Sequence, residues 1–359
     1  MTPTSTPTPT SSSTSRTTTR PRPRGAGTSR AGTARRVYAL IIGLVVLALA
    51  VIASVMFGSR TTSFGDVMDV LSGTADPYVA TVVESRYPRT ALGLLAGLCL
   101  AVAGTLMQGV TRNPLADPGL LGINAGASAS IVAATAFLGA SGRSDTMWWA
   151  LPGALLAGLL VHAIGSAGAS TSLVRLVLAG AVLSAVLMAF IQAVTLSRPK
   201  VFDSYRYWVV GALGGRDFDV FLSVLPFAVV GFCVAVLLAP GLNALALGDE
   251  SAASLGANPL LVRAGGLFSA TLLSAAATAA VGPIAFVGLA VPHIVRALVG
   301  VDFRLQVAFS AIAGPALLLL ADVVGRIVLR PQELMVGVVT AFVGAPALLM
   351  AVRRMKGNA

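Results

Sequence analysis

One stretch decides the class of this chain, and it runs from Arg86 to Ala129: RYPRTALGLLAGLCLAVAGTLMQGVTRNPLADPGLLGINAGASA. It opens with an arginine pair, continues through the mostly apolar run Thr90–Val110, and then turns at two prolines. A run of this length can cross the hydrocarbon core of a bilayer as a helix. Small residues recur along it and predict close packing against another helix; they are Gly93, Gly97, Ala101 and Gly104.

The composition of the whole chain supports a membrane location. Of its 359 residues, 56% are hydrophobic and only 11% are charged, with a mean hydropathy of +0.86. Soluble domains carry about 25% charged residues, so a soluble enzyme and a disordered chain are both excluded. The two cysteines, Cys99 and Cys233, lie inside apolar runs, which excludes a disulfide-stapled domain and a zinc ribbon.

Apolar segments long enough to span a membrane recur along the rest of the chain. We therefore predict an all-α, polytopic membrane protein with about ten transmembrane helices. The expected segments are Val37–Phe57, Thr90–Val110, Leu120–Ala140, Trp148–Gly165, Val174–Leu196, Val220–Ala239, Leu260–Val281, Ile284–Val299, Val307–Val328 and Met335–Val352. The eighth is short and is not expected to cross fully in a straight line. An even number and basic tails predict a multi-pass protein of the cell membrane with both termini in the cytoplasm.

The first 36 residues differ from everything that follows them. They are rich in Ser, Thr, Pro and Arg, and they hold seven of the 25 basic residues and no acid. We predict a disordered cytoplasmic tail over 1–36 and a transmembrane domain over 37–359. The domain alone has 18 basic and 14 acidic residues, so the positive charge belongs mainly to the tail. Membrane lipid is an expected partner, and nucleic acid is not.

Three loops are too long and too patterned to be plain connectors. Gly58–Arg89 and Arg198–Asp219 should lie outside the cell, whereas Pro240–Pro259 should lie in the cytoplasm. Within this third loop the acidic start at Asp249 opens a helical stretch, which Gly256 then closes. We expect two short helices along the membrane face.

Catalytic signatures are missing from the sequence. It has no HExxH, no G-x-S-x-G and no GxxxxGK[ST] phosphate loop, so the chain is not expected to be an enzyme or to hydrolyse ATP itself. The two histidines, His162 and His293, do not suggest a metal site, and no cofactor is expected. Asp322 and Arg326 are four residues apart and share a helix face. They predict either a structural pair or, alternatively, an acid that carries protons.

Several motifs follow one another in an order that resembles a known family. R-x-P-R, G-x-x-x-Q, R-N-P-L-A-x-P and L-G-x-x-x-G-A occur between Arg86 and Ala127, followed by a second block at Gly282–Arg296 and a third at Ala321–Pro346. Together they resemble the FecCD family of ABC-importer permeases, over roughly residues 40–355. The motif positions are Gln108, Arg112, Asn113, Pro114, Pro118, Gly122, Gly282, Pro283, Pro292, His293 and Arg296.

This resemblance implies a transport role and a set of partners. The expected function is that of a permease subunit that takes up a ferric siderophore, with haem or cobalamin as alternative cargo and an ion-coupled secondary transporter as the alternative mechanism. The implied partners are a second permease subunit (identical or paralogous), two cytoplasmic ABC ATPase subunits, and an extracytoplasmic lipoprotein or periplasmic substrate-binding protein.

The resemblance also assigns roles to particular residues. The loop at 240–259 would couple to the ATPase through Leu247, Gly248, Asp249, Glu250, Ser251, Ala252, Ala253, Leu255 and Gly256. The arginines Arg86, Arg89 and Arg326 would receive acidic residues of the binding protein, although arginines at helix ends also anchor helices in membranes. The cytoplasmic gate would lie at Ser172, Leu173 and Val174.

Overall fold

The computed structural model describes residues 27–140, 143–166 and 173–356 of the chain. Within these ranges the secondary structure is helical and includes no strand. The α-helices have the bounds α1 Gly27–Met56, α2 Phe64–Ser72, α3 Pro77–Glu84, α4 Arg86–Thr111, α5 Ile123–Ala133, α6 Arg143–Ser166, α7 Leu173–Ser197, α8 Pro199–Trp208, α9 Phe218–Ala246, α10 Asp249–Ser254, α11 Pro259–Val281, α12 Val287–Val299, α13 Phe303–Val328 and α14 Val336–Lys356. A 3₁₀ turn (Pro118–Leu121) precedes α5, and a π turn (Ala134–Leu138) follows it.

The apolar helices agree with the ten segments that the sequence predicts. Among the described residues, seven helices are long and apolar enough to cross a membrane: Thr33–Met56, Pro77–Thr111, Met147–Gly165, Val174–Ser197, Phe218–Ala246, Pro259–Val281 and Phe303–Val328. Three shorter apolar helices complete the set: Ile123–Leu138, Val287–Val299 and Val336–Pro346. The short eighth segment is α12, whose 13 residues extend only about 20 Å against about 30 Å of hydrocarbon. The all-α, polytopic prediction is confirmed.

Two boundaries differ from the prediction. Helix α1 begins at Gly27, ten residues before the expected start of the domain, because the segment 27–36 contains no proline and several good helix formers. The rest of the predicted disordered tail, residues 1–26, lies outside the described residues. Helix α9 continues through Pro240 to Ala246, so only one of the two expected short helices, α10, is separate. Leu242 and Leu245 are fully buried and hold this last part of α9 against the core.

Helix α4 lies in the middle of the bundle and packs against α13, α11, α12 and α9. A Cβ added at Gly97 would lie 2.6 Å from the Pro315 backbone in α13, and one at Gly104 would overlap the Gly288 carbonyl in α12. The predicted stripe of small residues therefore brings the helices together backbone to backbone, which confirms that prediction. Because α4 runs from Arg86 to Thr111, it connects the two ends of the bundle where the candidate sites lie.

Candidate functional site

The short helix α10 stands apart from the helix bundle. Gly248 and Gly256 flank it with φ angles of 113° and 82°, a region of backbone conformation that side chains disfavour. Within α10, the side chain of Ala252 is fully buried against the bundle. Among the other coupling residues inferred from the resemblance, Gly248 is half-buried. The rest are exposed: Leu247, Asp249, Glu250, Ser251, Ala253, Leu255 and Gly256. Two large apolar side chains, Leu247 (67% exposed) and Leu255 (66%), are among them.

Asp249 ties α10 to two of the long helices. Its Oδ1 accepts hydrogen bonds from Nη2 of Arg112 at 2.6 Å and from Nη2 of Arg263 at 2.9 Å. Arg112 caps the C-terminal end of α4, and Arg263 lies in the first turns of α11. A displacement of α10 would therefore pull on the ends of two core helices through a single carboxylate.

The turn after α4 sets the position of Arg112. Arg112 has a left-handed backbone with φ 49°, which is unfavourable by about 1–2 kcal/mol for a residue with a side chain. The Asn113 side-chain oxygen accepts from the Leu115 N–H at 3.0 Å, and the Asn113 carbonyl accepts from Ala116, with Pro114 between them. The turn thus holds the Arg112 guanidinium against Asp249 at the cost of backbone strain.

The next motif residues hold the segment between α4 and α5. Gln108 donates to the Leu289 carbonyl of α12 at 3.4 Å, and Pro118 opens the 3₁₀ turn. Asp117 caps this turn by accepting from the Gly119 N–H at 2.7 Å. Burial raises the pKa of Asp117, and this hydrogen bond partly offsets that effect. Gly122, with φ 72°, is the N-cap residue that precedes α5.

The second motif block shapes the break between α11 and α12. Gly282 has φ 81°, and a Cβ there would lie 2.5 Å from the Trp208 carbonyl oxygen. The Pro283 carbonyl oxygen likewise lies so close to Gly211 that a Cβ added at Gly211 would overlap it. Further along, α12 buries Pro292, half-buries His293 and exposes Arg296. The glycines at 211 and 282 thus allow two backbone segments to pass close to each other. Among the described residues, no group of three or more His, Cys, Asp or Glu side chains could hold a metal ion.

A cluster of ion pairs joins α4 to α13 at the end of the bundle opposite α10. Asp322, which is 1% exposed, accepts from Arg89 through Nη2 at 2.8 Å and Nε at 3.0 Å. It also accepts from Nη2 of Arg326 at 2.8 Å. The pair that the sequence predicts on one face of α13 is therefore confirmed, and Arg89 joins it from another helix.

The three arginines assigned to docking lie together, and they bind groups of this chain. Arg326 is 1% exposed and donates to the backbone oxygen and the hydroxyl of Ser54 in α1. Arg86 is 5% exposed and donates to the carbonyls of Val55 and Met56 at 2.8 Å each. These contacts fasten the end of α1 to α4 and α13, and they leave little of either guanidinium to contact a partner.

Arg89 differs from Arg86 and Arg326 because its guanidinium extends to the part-exposed Glu333 and lines two cavities. Its Nη1 donates to Glu333, in the linker between α13 and α14, at 2.8 Å. Burial alone would raise the pKa of Glu333, but the charge and hydrogen bond of Arg89 hold it below the usual value. Two cavities, of about 560 and 410 Å³, are both lined by Arg89, Gly214, Gly215, Arg216 and Glu333.

The predicted gate falls at the edge of the described residues. Ser172 lies outside them, Leu173 is the first residue of α7, and Val174 is 68% exposed. The gate therefore stays a prediction.

Sequence reasoning missed two partners that complete these sites, Arg263 and Glu333. One signal was available for Arg263, because it interrupts the apolar segment Leu260–Val281 near its start. Glu333 lies within the third motif block, but nothing in that block indicates that its partner is Arg89.

Comparison with known proteins places these features in context. Residues 46–354 match the model of the FecCD transport family. The chain is 44% identical to the ferric enterobactin transport system permease protein FepD of Escherichia coli (strain K12), over 87% of this chain and 93% of that protein. It is 36% identical to the Fe(3+)-citrate import system permease protein YfmD of Bacillus subtilis (strain 168), over 91% and 98%. A solved structure described as a metal-chelate type ABC transporter, inward-facing, has the same fold, with a TM-score of 0.77, 24% identity and coverage of 88% and 98%.

Proposed function

We propose, from the premise that this chain belongs to the FecCD transport family, that it is the membrane permease subunit of an ABC importer for ferric siderophores. A relative named for ferric enterobactin is 44% identical to this chain, against 35% for one named for hemin, and this difference supports a siderophore cargo. The chain forms the wall of the pathway, and ATP is hydrolysed on a partner chain.

The single observation that carries the proposed mechanism is the attachment of α10. This helix exposes Leu247 and Leu255 at its two ends and an acidic side chain, Glu250, between them. Exposed apolar side chains at the rim of a membrane protein are typical of a surface that a partner covers. An ATPase seated there would move α10, and Asp249 would transmit the movement to α4 and α11.

The rest of the assembly follows from the same proposal. Two ATPase subunits serve two permease subunits, identical or paralogous, and both chain termini lie in the cytoplasm with α10. A lipoprotein or periplasmic binding protein delivers the chelate to the opposite end, and the gate lies near Ser172, Leu173 and Val174. Of the three docking arginines, only Arg89 keeps a direct docking role in this proposal, because Arg86 and Arg326 are 5% and 1% exposed, whereas Arg89 lines two cavities and pairs with the part-exposed Glu333.

A specific observation weighs against an ion-coupled secondary transporter. A proton-carrying acid must give up its proton and take it back during each cycle, as acids in proton pumps do. Asp322 is 1% exposed, and both of its carboxylate oxygens are engaged by two arginines, Arg89 and Arg326. This arrangement supports a structural role for the acid.

The proposal is tested by purifying the full chain with its ATPase and any second permease subunit, adding the binding protein, and measuring ATP-driven uptake of ferric citrate into proteoliposomes. We expect stoichiometric ATPase and uptake that requires ATP. Leu255→Asp should abolish co-purification of the ATPase, because it places a charge in the docking surface. The matched control is Leu329→Asp, which changes an exposed leucine just after α13, at the opposite end of the bundle. Uptake that continues without any ATPase would refute the proposed function.

A further inference from the structure

The short helix α2, at the end of the bundle opposite α10, carries three large apolar side chains that the described part of the chain leaves exposed. Phe64 is 60% exposed, Met68 47% and Leu71 67%. Their spacing of four and three residues places them on one face of the helix, within an arc of about 60°. Val67, beside them, is 7% exposed and is the residue that α2 buries. We call Phe64, Met68 and Leu71 the α2 face.

The polar side chains of α2 lie away from this face. Asp66 accepts from the Ser63 N–H at 2.7 Å and closes the N-terminal end of the helix, and Asp69 is exposed. Asp69 projects about 100° around the helix from Met68. The helix has no basic residue. It is therefore amphipathic, and its apolar face is of the kind that a membrane surface or a partner covers.

The depth at which α2 begins favours the membrane. The uncharged segment Val37–Met56 of α1 has 20 residues, so it extends about 30 Å, the thickness of the hydrocarbon core. The Met56 carbonyl therefore lies at the boundary of the hydrocarbon. It accepts from the Thr62 hydroxyl at 2.8 Å, and Nη1 of Arg86 donates to both of these oxygens at 2.8 Å. Because Thr62 is held at this level, α2 starts two residues later in the headgroup region.

The surface that leads to α2 also faces lipid. Only 11% of the most apolar part of α1 is buried inside the protein. Leu49 is 59% exposed, Ile52 51% and Phe57, just past the end of the helix, 45%. An α2 face turned to the bilayer continues this lipid-facing surface beyond the end of α1.

We propose that the α2 face lies in the interfacial region of the bilayer and anchors the segment of α2 and α3 to the membrane surface. Amphipathic helices bury their apolar face about 5–10 Å into the boundary between headgroups and acyl chains. Burial of apolar surface drives this contact, and the Asp69 carboxylate stays on the side of water. Since α3 packs against both α2 and α4, the anchor also fixes the segment that precedes Arg86. The inference needs only an inserted chain and goes beyond the proposed import function.

The test measures the depth of spin labels on two sides of α2. Cys99 is buried, so Cys233→Ala removes the one exposed thiol, and this chain without an added cysteine should take up no label. Met68→Cys or Asp69→Cys is then introduced, labelled with a nitroxide, and placed as the full chain in phosphatidylcholine nanodiscs. Oxygen is enriched in the hydrocarbon, whereas a water-soluble nickel chelate is excluded from it. We expect the label at residue 68 to collide more with oxygen and the label at residue 69 more with the nickel chelate.

A second variant and a second lipid sharpen the result. Leu71→Cys, on the same face, should give the same ratio of oxygen to nickel collisions as Met68→Cys. Adding phosphatidylglycerol to the nanodiscs should leave this ratio unchanged, because α2 has no basic residue to bind an anionic headgroup. A label that becomes shielded from nickel only in the presence of phosphatidylglycerol would overturn apolar burial as the cause.

Two other outcomes would also overturn the proposal. If the labels at residues 68 and 69 meet the nickel chelate equally often, the α2 face lies in water. If the label at residue 68 is shielded from both probes, protein covers the face, and dipolar broadening between labels would identify a second copy of this chain. ATP-driven uptake is measured separately, so the failure of the anchor and the failure of the proposed function are distinguishable.

Discussion

Replacing Asp322 with Asn tests whether the arginine cluster is a structural fastener. The carboxylate of Asp322 accepts from Arg89 and Arg326, and both Asp322 and Arg326 are 1% exposed. Asparagine has nearly the same shape but carries no charge, and its amide presents a donor where an acceptor stood. The variant therefore leaves two guanidinium groups to share one amide oxygen without any negative charge between them, and Arg326 keeps only the Ser54 oxygens besides.

The size of the effect follows from the burial of the pair. Removing one partner of a buried ion pair costs about 3–5 kcal/mol. For a chain of this size we expect about 2 °C of melting temperature per kcal/mol, and hence a loss of about 6–10 °C. The Arg89–Glu333 pair is more exposed, with 35% of the Glu333 side chain accessible, so Glu333→Gln should cost no more than about 1 kcal/mol at neutral pH.

The assay is thermal unfolding of the purified full chain in one detergent, together with the affinity for the binding protein. The control is Asp219→Asn, an exposed acid at the start of α9 that should change stability by less than about 0.5 kcal/mol. We expect Asp322→Asn and Arg326→Gln to lower the melting temperature strongly. Unchanged melting of both variants, combined with weaker binding of the partner, would refute the structural role and restore Arg326 to the docking surface.

Three further predictions concern packing, coupling and pH. Gly104→Ala should cost about 1–3 kcal/mol, because the new Cβ overlaps the Gly288 carbonyl; Gly43→Ala, which meets only Ile312 at 3.5 Å, should melt like the unchanged chain. Asp249→Arg should lower uptake per ATP hydrolysed, and adding Arg112→Asp should restore part of it; a double variant no better than the single one contradicts transmission through this pair. Because the pKa of Glu333 is lowered in the folded chain, its contribution should be complete above the ordinary value of 4.5 and be lost as pH falls through the lower folded pKa. The difference in melting temperature between the unchanged chain and Glu333→Gln should therefore be constant from pH 8 to about pH 5 and shrink in more acidic buffer; a difference that vanishes already at neutral pH would contradict it.

Local patterns in the sequence were sufficient for most of the fold. Ten apolar segments predicted ten helices, because a bilayer demands about 20 apolar residues from each crossing. The glycines at 97 and 104 predicted close packing, because only a residue without Cβ allows backbones to touch. Asp249 and Gly256 predicted a short helix between them, and α10 ends two residues before Gly256. Two helix ends were predicted wrongly. Helix α1 begins at Gly27 and not at the change of composition near residue 37, and α9 continues past Pro240 to Ala246.

The partners of the charged residues depended on the tertiary structure. Asp322 and Arg326 share a helix face, so their pairing followed from a spacing of four residues. Arg89 joins them from 233 residues away, and Arg112 meets Asp249 from 137 residues away. A local sequence pattern does not indicate contacts between residues so far apart in the chain, since these contacts depend on which helix faces pack together. The sequence by itself therefore determined a membrane protein with a short helix outside its bundle, through apolar length and turn residues, and its ordered motifs indicated the FecCD family. The packing of α4 against α13 and α11 decided which charged residues meet and that the arginines fasten helices.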